Sequence, residues 1–271
     1  MAAHALLPNL SLVHQSPLNH NGIEYDDVVT NLMMKLETDV MNARDNMRNL
    51  FDIWGLPLWV SVYLPSLILS PRFIVSGSEL TGTYLDGGKG FRPRNSNLWY
   101  RVFEAAGVRV LPTSFLSEVN NAKIAYLSGK ENLAAYCVFI KNQDCGACTK
   151  CLRRRLLRAA INPNEIKLIT DFHRSKKIDD FLLSRPLYYG DIFVAAIRRI
   201  NTTTWVDQYV TDVLSEVGDV NFHHAYFEQA LTDFSFPEDM KLRIENELAR
   251  FEIKKMTEQE IHNMRVYKQL V

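Results

Sequence analysis

Apolar residues return roughly every four positions between Glu24 and about Phe51, at Val28, Leu32, Leu36, Val40 and Met47, which predicts one amphipathic helix or two. The run from Leu56 to Leu69 is apolar but is cut by Pro57 and Pro65, so it reads as a buried segment with turns rather than a membrane span. Arg72 to Gly77 is a β-branched strand that opens into a loop. A short helix follows over Asn97 to Ala106 and stops at Gly107, then a strand at Val108 to Leu111, then a helix capped by Ser117 that runs to about Leu127. Strand, loop, helix, strand, helix is the order of an α/β fold with a parallel sheet. Farther on the period is helical: Leu152 to Ala160, Ile178 to Leu183, Asp191 to Ile200, Trp205 to Val217, Phe222 to Leu231, Glu238 to Phe251 and Glu258 to Leu270. Thr257 and Glu260 form a capping box for the last of these. His223 and His224 read as helix surface and core.

With 271 residues, 47% of them hydrophobic, the chain can bury a full core, and one main domain with an appendage is the expected size class. The divisions fall at 1–135 for the α/β part, 136–160 for a cysteine-bearing segment and 161–271 for a helical extension packed on the core or on a partner. Thirty-one basic residues balance 31 acidic ones, so no global field draws the protein to nucleic acid or an acidic membrane. The first residues lack the charged start and long apolar core of a signal peptide, so a cytoplasmic, reducing location is expected. His4, His14 and His20 lack metal-ligand spacing and a nearby carboxylate.

All four cysteines lie between Tyr136 and Arg154, as C-x7-C-x2-C-x2-C: Cys137, Cys145, Cys148 and Cys151. Thiolates at that spacing suit a tetrahedral zinc ion, and Gly146 permits the tight turn that brings neighbouring sulfurs to one point. Core cysteines would scatter along apolar faces, whereas these sit in a polar loop containing Gly and Lys. A structural zinc site with all four cysteines as ligands is therefore expected, ahead of buried thiols, disulfides or a CxxC redox pair.

Ser76 to Arg94 is the second informative stretch, with Gly77, Gly82, Gly87, Gly88 and Gly90 beside Lys89, Arg92 and Arg94. Glycines let backbone N–H groups approach phosphate oxygens, and the cations would neutralise them. Neither GxxxxGK[ST] nor GxGxxG is present, and mobile surface loops share this composition. Past the cysteines, Arg153, Arg154, Arg155 and Arg158 load one helix with charge. A structural role, covering the knob or pairing with acids, is the commoner meaning of such a run, and no RNA partner is expected.

Over roughly Phe73 to Arg154, the strand, the Gly-rich loop and the cysteine knob together resemble the C-terminal half of 7-cyano-7-deazaguanine synthase and its relatives. These are PP-loop, ATP-using enzymes of the adenine nucleotide alpha hydrolase-like fold, with a motif near C-x8-C-G-x-C-x2-C-x2-R. Cys137, Cys145, Gly146, Cys148, Cys151 and Arg154 fill it with one residue fewer in the first gap. The resemblance implies a partial Rossmann-like parallel sheet of PP-loop type, with a four-cysteine zinc knob and an α-helical C-terminal extension. It also implies ATP-dependent activation of a carboxylate on a small molecule, releasing AMP and pyrophosphate. Ser76, Gly77, Glu79, Lys89 and Arg92 are then the residues expected to contact ATP and its Mg2+, and no catalytic residue is assigned. The family's SGGxDS loop is absent, so an upstream segment or a partner protein would supply it; otherwise the chain is a non-catalytic zinc-stabilised binding module. The family's lysine before the knob falls on Asn121, two residues from Lys123, and Gly82 and Tyr84 alone match its substrate loop.

Overall fold

A computed structural model describes residues 6, 72–77, 80–85, 103–130, 144–185, 187, 189–200, 203–216 and 220–270, and the backbone alone at 12–17, 40–45, 81–82, 213–214 and 266–270. Leu12–Pro17 (β1) pairs in parallel with Val40–Asp45 (β2), Leu12 opposite Val40 and Pro17 opposite Asp45. A helix was the expectation at Val40–Asp45. The apolar period there rested on Val40 alone, and ladder hydrogen bonding outweighs so thin a pattern. The rest of the Glu24 to Phe51 segment lies outside the described residues.

Phe73–Ser76 (β3) and the short helix Leu80–Tyr84 (α1) lead to a helical turn at 103–105 that ends on Gly107. Arg109–Pro112 (β4) then pairs in parallel with β3, Phe73 opposite Arg109 and Ser76 opposite Pro112. Glu118–Leu127 (α2) starts on Ser117, whose hydroxyl accepts the Asn120 N–H while the Asn120 side chain accepts the Ser117 N–H, so the expected cap is a full capping box. The parallel β3–β4 pair with following helices is the α/β order read from the pattern.

Thr149–Ile161 (α3) is a helix with six buried residues, ended by Asn162 and a 3-10 turn at Pro163–Glu165. Lys167–Thr170 (α4), Lys176–Leu183 (α5), Gly190–Arg199 (α6) and Asp207–Glu216 (α7) follow. The segment expected as a helix from Phe222 to Leu231 instead forms a two-residue strand, Ala225–Tyr226 (β5), and a short helix, Gln229–Asp233 (α8). Glu238–Arg250 (α9), Lys254–Lys255 (β6) and Glu258–Leu270 (α10) complete the order. The β5–β6 pair explains the difference: Lys254 and Met256 donate their backbone N–H groups to the carbonyls of His224 and Tyr226 at 2.7 and 2.9 Å, which holds Ala225–Tyr226 extended. The capping box on α10 is present, with Thr257 N–H and hydroxyl both on the Glu260 carboxylate.

Two hydrophobic cores form among the described residues. One joins Leu80, Leu111, Leu116 and Ile124 to Phe222, Leu231, Ile244, Leu248 and Met264, so the last third of the chain closes over the β3–β4 unit. The other gathers Cys151, Leu152 and Leu156 with Ile169, Ile178, Leu182, Phe193 and Val210. Helix α6 lies between them: Ile192 and Val194 enter the first, Phe193, Ala196 and Ile197 the second. A helix apolar on all sides is a helix buried on all sides. Phe193 is fully buried, and its truncation to Ala would cost about 3–5 kcal/mol. No helix among the described residues is long and apolar enough to cross a membrane.

Candidate metal centre

The cysteine segment is described from Asp144, and in it Cys145, Cys148 and Cys151 bring their sulfurs within 4.8 Å of one another. Cys145 and Cys148 are half-buried and Cys151 is fully buried. Cys137 lies outside the described residues, so three of the four expected ligands are seen to converge.

Two local devices build this arrangement. Gly146 adopts φ +65°, the left-handed backbone that lets the chain reverse between Cys145 and Cys148. A Cβ there would stand 3.1 Å from Nη2 of Arg155. Cys148 is the N-cap of α3, its Sγ accepting the Cys151 N–H at 3.4 Å, so the helix start delivers Cys151 one turn below Cys148. Asp144 accepts the Gly146 N–H at 2.7 Å and the Arg155 Nε–H at 2.8 Å. Arg155 in turn donates to the Leu168 carbonyl at 2.8 Å, and the His173 N–H donates to the Gly146 carbonyl at 3.0 Å. The turn is thereby tied at both ends to the α4 region. Spacing rules name the sulfurs but not this clamp; its signal in the sequence was an Asp directly before the first clustered Cys and an Arg four residues after the last.

The donor set fits zinc. Cys145 and Cys151 sulfurs are 3.6 Å apart, close to the ~3.8 Å edge of a tetrahedron with Zn–S bonds of ~2.3 Å. Burial pushes the Cys151 thiol well above its usual range, and the Asp144 and Cys148 side chains raise it further, so this sulfur keeps its proton until a cation displaces it. Burial works to raise the Asp144 carboxyl too, but the Arg155 and Gly146 hydrogen bonds outweigh it and hold the group below the normal carboxylate range. The three thiols can hold a metal ion such as zinc, and a hydrophobic core packs behind Cys151 and Leu152.

Arg153, Arg155 and Arg158 of α3 are engaged within the fold. Arg153 reaches Glu118 at 3.6 Å and lies over the Tyr189 ring at 3.5 Å, Arg155 holds Asp144, and Arg158 meets Glu165 at 2.6 Å. Glu118 opens α2, in the segment that follows β4, and Arg153 lies in α3, so an ion pair joins that segment to the helix that carries Cys151. Ser76, buried at the end of β3, accepts the Thr113 N–H at 2.9 Å, and Gly77 beyond it is exposed. Glu79, Lys89 and Arg92 lie outside the described residues.

A family model with the description "Family of unknown function (DUF6395)" matches residues 98–268, a span that takes in the knob and everything after it up to α10. No curated protein and no solved structure matches the chain.

Proposed function

For a chain that belongs to the DUF6395 family, we propose a function from its own geometry: a zinc-clamped α/β protein of PP-loop type that binds ATP and Mg2+ at the carboxyl ends of β3 and β4 and activates a carboxylate, or is the C-terminal part of such an enzyme. One observation carries this reading, the unbroken link from the strand ends to the thiols. Thr113 N–H bonds the Ser76 carbonyl, the Leu80 N–H bonds the Leu116 carbonyl, Ser117 caps α2, and Glu118 pairs with Arg153, two residues beyond Cys151. Carboxyl ends of parallel strands are where open α/β sheets bind ligands. A metal knob fixed to that edge would hold the ligand loop in place, as the resemblance to 7-cyano-7-deazaguanine synthase implies. Ser76 and Gly77 would meet the nucleotide from β3, and Glu79, Lys89 and Arg92 from the adjoining loop. Zinc, held by Cys145, Cys148 and Cys151 with Cys137, would supply folding free energy and no step of the reaction.

Isothermal titration of the zinc-loaded chain with Mg·ATP, paired with an assay for pyrophosphate release, tests the proposal. Binding by the chain, alone or together with the product of the adjoining gene, is the expected result; the absence of binding in both cases removes it. One observation favours a second reading, a zinc-stabilised binding module without ATP chemistry. The hydroxyls of Thr83 and Ser114, buried just behind the strand ends, bond each other at 2.7 Å instead of facing outward. A folded, zinc-loaded chain that ignores ATP would be that module.

A further inference from the structure

Helix α2 carries Ser117, Asn120 and Lys123 three residues apart, on one side. That side runs along residues 222–224: the Ser117 hydroxyl donates to the Phe222 carbonyl at 3.0 Å, and Lys123 Nζ stands 3.0 Å from His224 Nδ1. His223 lies between those two anchor points, its ring centroid 4.6 Å from that of His224. Arg199, the last residue of α6, brings Nη1 to 3.1 Å from His224 Nε2, and its Nε donates to the Ala160 carbonyl.

The protons of this cluster can be assigned. A guanidinium has no acceptor and a carbonyl has no donor, so the tautomer that satisfies both the Arg199 and the Glu252 contacts leaves His224 Nε2 bare to accept from Arg199. The ring proton then sits on Nδ1 and goes to the Glu252 carbonyl at 3.1 Å. Nδ1 cannot also accept from Lys123, which leaves that ammonium's three protons with one acceptor among the described residues, the same Glu252 carbonyl at 3.4 Å. Glu252 is held at φ +54°, a left-handed backbone that is costly for a side-chain-bearing residue, and its carbonyl serves both groups. Asn120 Nδ2 and both ring nitrogens of His223 are buried without a hydrogen-bond partner among the described residues. Asn120, Lys123 and His223 are 0%, 4% and 5% exposed, while Arg199 opens to solvent. Among the described residues neither Lys123 nor Arg199 forms an ion pair with a carboxylate; Glu252 acts on Lys123 only through the longer-range field. Burial depresses the Lys123 ammonium, and the Arg199 charge depresses it further.

Among the described residues, buried donors thus outnumber acceptors, around two cations with no counter-charge in contact. A tetrahedral oxyanion supplies what is missing: several acceptor oxygens in different directions and close to two negative charges. We propose that Lys123, Arg199, His223 and His224, with Asn120 beside them, form a binding site for a phosphoryl group. The site is built by α2, the end of α6 and the 222–224 segment, and none of its residues is among those proposed to meet the nucleotide at the ends of β3 and β4.

A phosphoryl group can arrive as free phosphate or on a nucleotide, so the zinc-loaded full chain is titrated calorimetrically with inorganic phosphate and, separately, with AMP, in chloride buffer. Wild type, Arg199→Gln and Lys123→Met are compared, with thermal melts to confirm folding. Wild type is expected to bind one of the two probes, with phosphate naming the free ion and AMP without phosphate naming the nucleotide. Each variant is expected to bind that probe at least tenfold more weakly. If Lys123→Met does not fold, the exposed Arg199→Gln decides. Wild type that binds neither probe, or Arg199→Gln that binds as wild type does, overturns the proposal. Mg·ATP binding that both variants retain belongs to the strand ends, so the two sites stand or fall separately.

Discussion

Replacing Cys148 with Ser separates two tasks that one sulfur performs. As N-cap of α3, Cys148 accepts the Cys151 N–H at 3.4 Å, a long bond to a weak acceptor. Serine is a preferred cap, worth about 1 kcal/mol over alanine at such positions, so the variant loses nothing in the helix start. As a ligand, the same sulfur is one of three within 4.8 Å, and its loss opens the metal site. Binding to the folded state alone stabilises it by about 4 kcal/mol when free zinc is 1,000 times the dissociation constant. For a chain of 271 residues each kcal/mol moves the melting temperature by about 2–4 °C, so zinc should raise the wild-type Tm by roughly 8–16 °C over the chelated protein. Thermal melts in buffered zinc and in chelator, with metal analysis of both proteins, give the four values needed. Cys148→Ser is expected to match or slightly exceed wild type in chelator and to gain little from zinc. A variant that gains as much from zinc as wild type does, or that is already much less stable in chelator, would refute the assignment of this sulfur to a metal.

Gly146→Ala tests the turn itself. The left-handed backbone costs about 1–2 kcal/mol for an L side chain, and the new Cβ at 3.1 Å from Arg155 Nη2 also presses on the Asp144 ion pair, so the Tm should fall in both zinc and chelator; an unchanged Tm would mean that the turn is not held as described. His223 gives an acid-side signature: burial first, then the charges of Arg199 and Lys123 and the His224 ring, push its imidazole down to about 3. The unfolded chain therefore takes a proton near pH 6.5 that the folded chain refuses. Stability present above about pH 6.5 is lost as pH falls toward 3, and urea melts across that range should show a flatter decline for His223→Gln than for wild type.

What could be read from the sequence was what depends on near neighbours. Ser117 and the Thr257–Glu260 pair announce helix starts because a cap acts within three residues. Cys145, Cys148 and Cys151 announce a metal site because two-residue gaps already confine the sulfurs. The strands at Phe73–Ser76 and Arg109–Pro112 were legible because β-branched and apolar runs ended on turn residues. Contacts between distant residues were not legible. The 222–226 segment has a helical apolar pattern, yet it turns at 222–224 and is paired as a strand at Ala225–Tyr226 by Lys254 and Met256, and His224 finds Lys123 across 101 residues. At Val40–Asp45 the strand is fixed by pairing with Leu12–Pro17, a partner that the sequence did not advertise. Arg155 looked like one more surface charge until Asp144 and the Leu168 carbonyl were placed around it.

Helix α6 has a consequence for how this protein can be handled. Because Ile192 and Val194 face one core while Phe193 and Ala196 face the other, no cut through the chain separates the two without stripping a wall from both. A shortened version ending near residue 161 would leave Leu157 and the β3–β4 unit without Phe222, Leu231 and Ile244, and should emerge as an aggregate rather than a smaller protein. An insertion within α6 should disturb both cores at once.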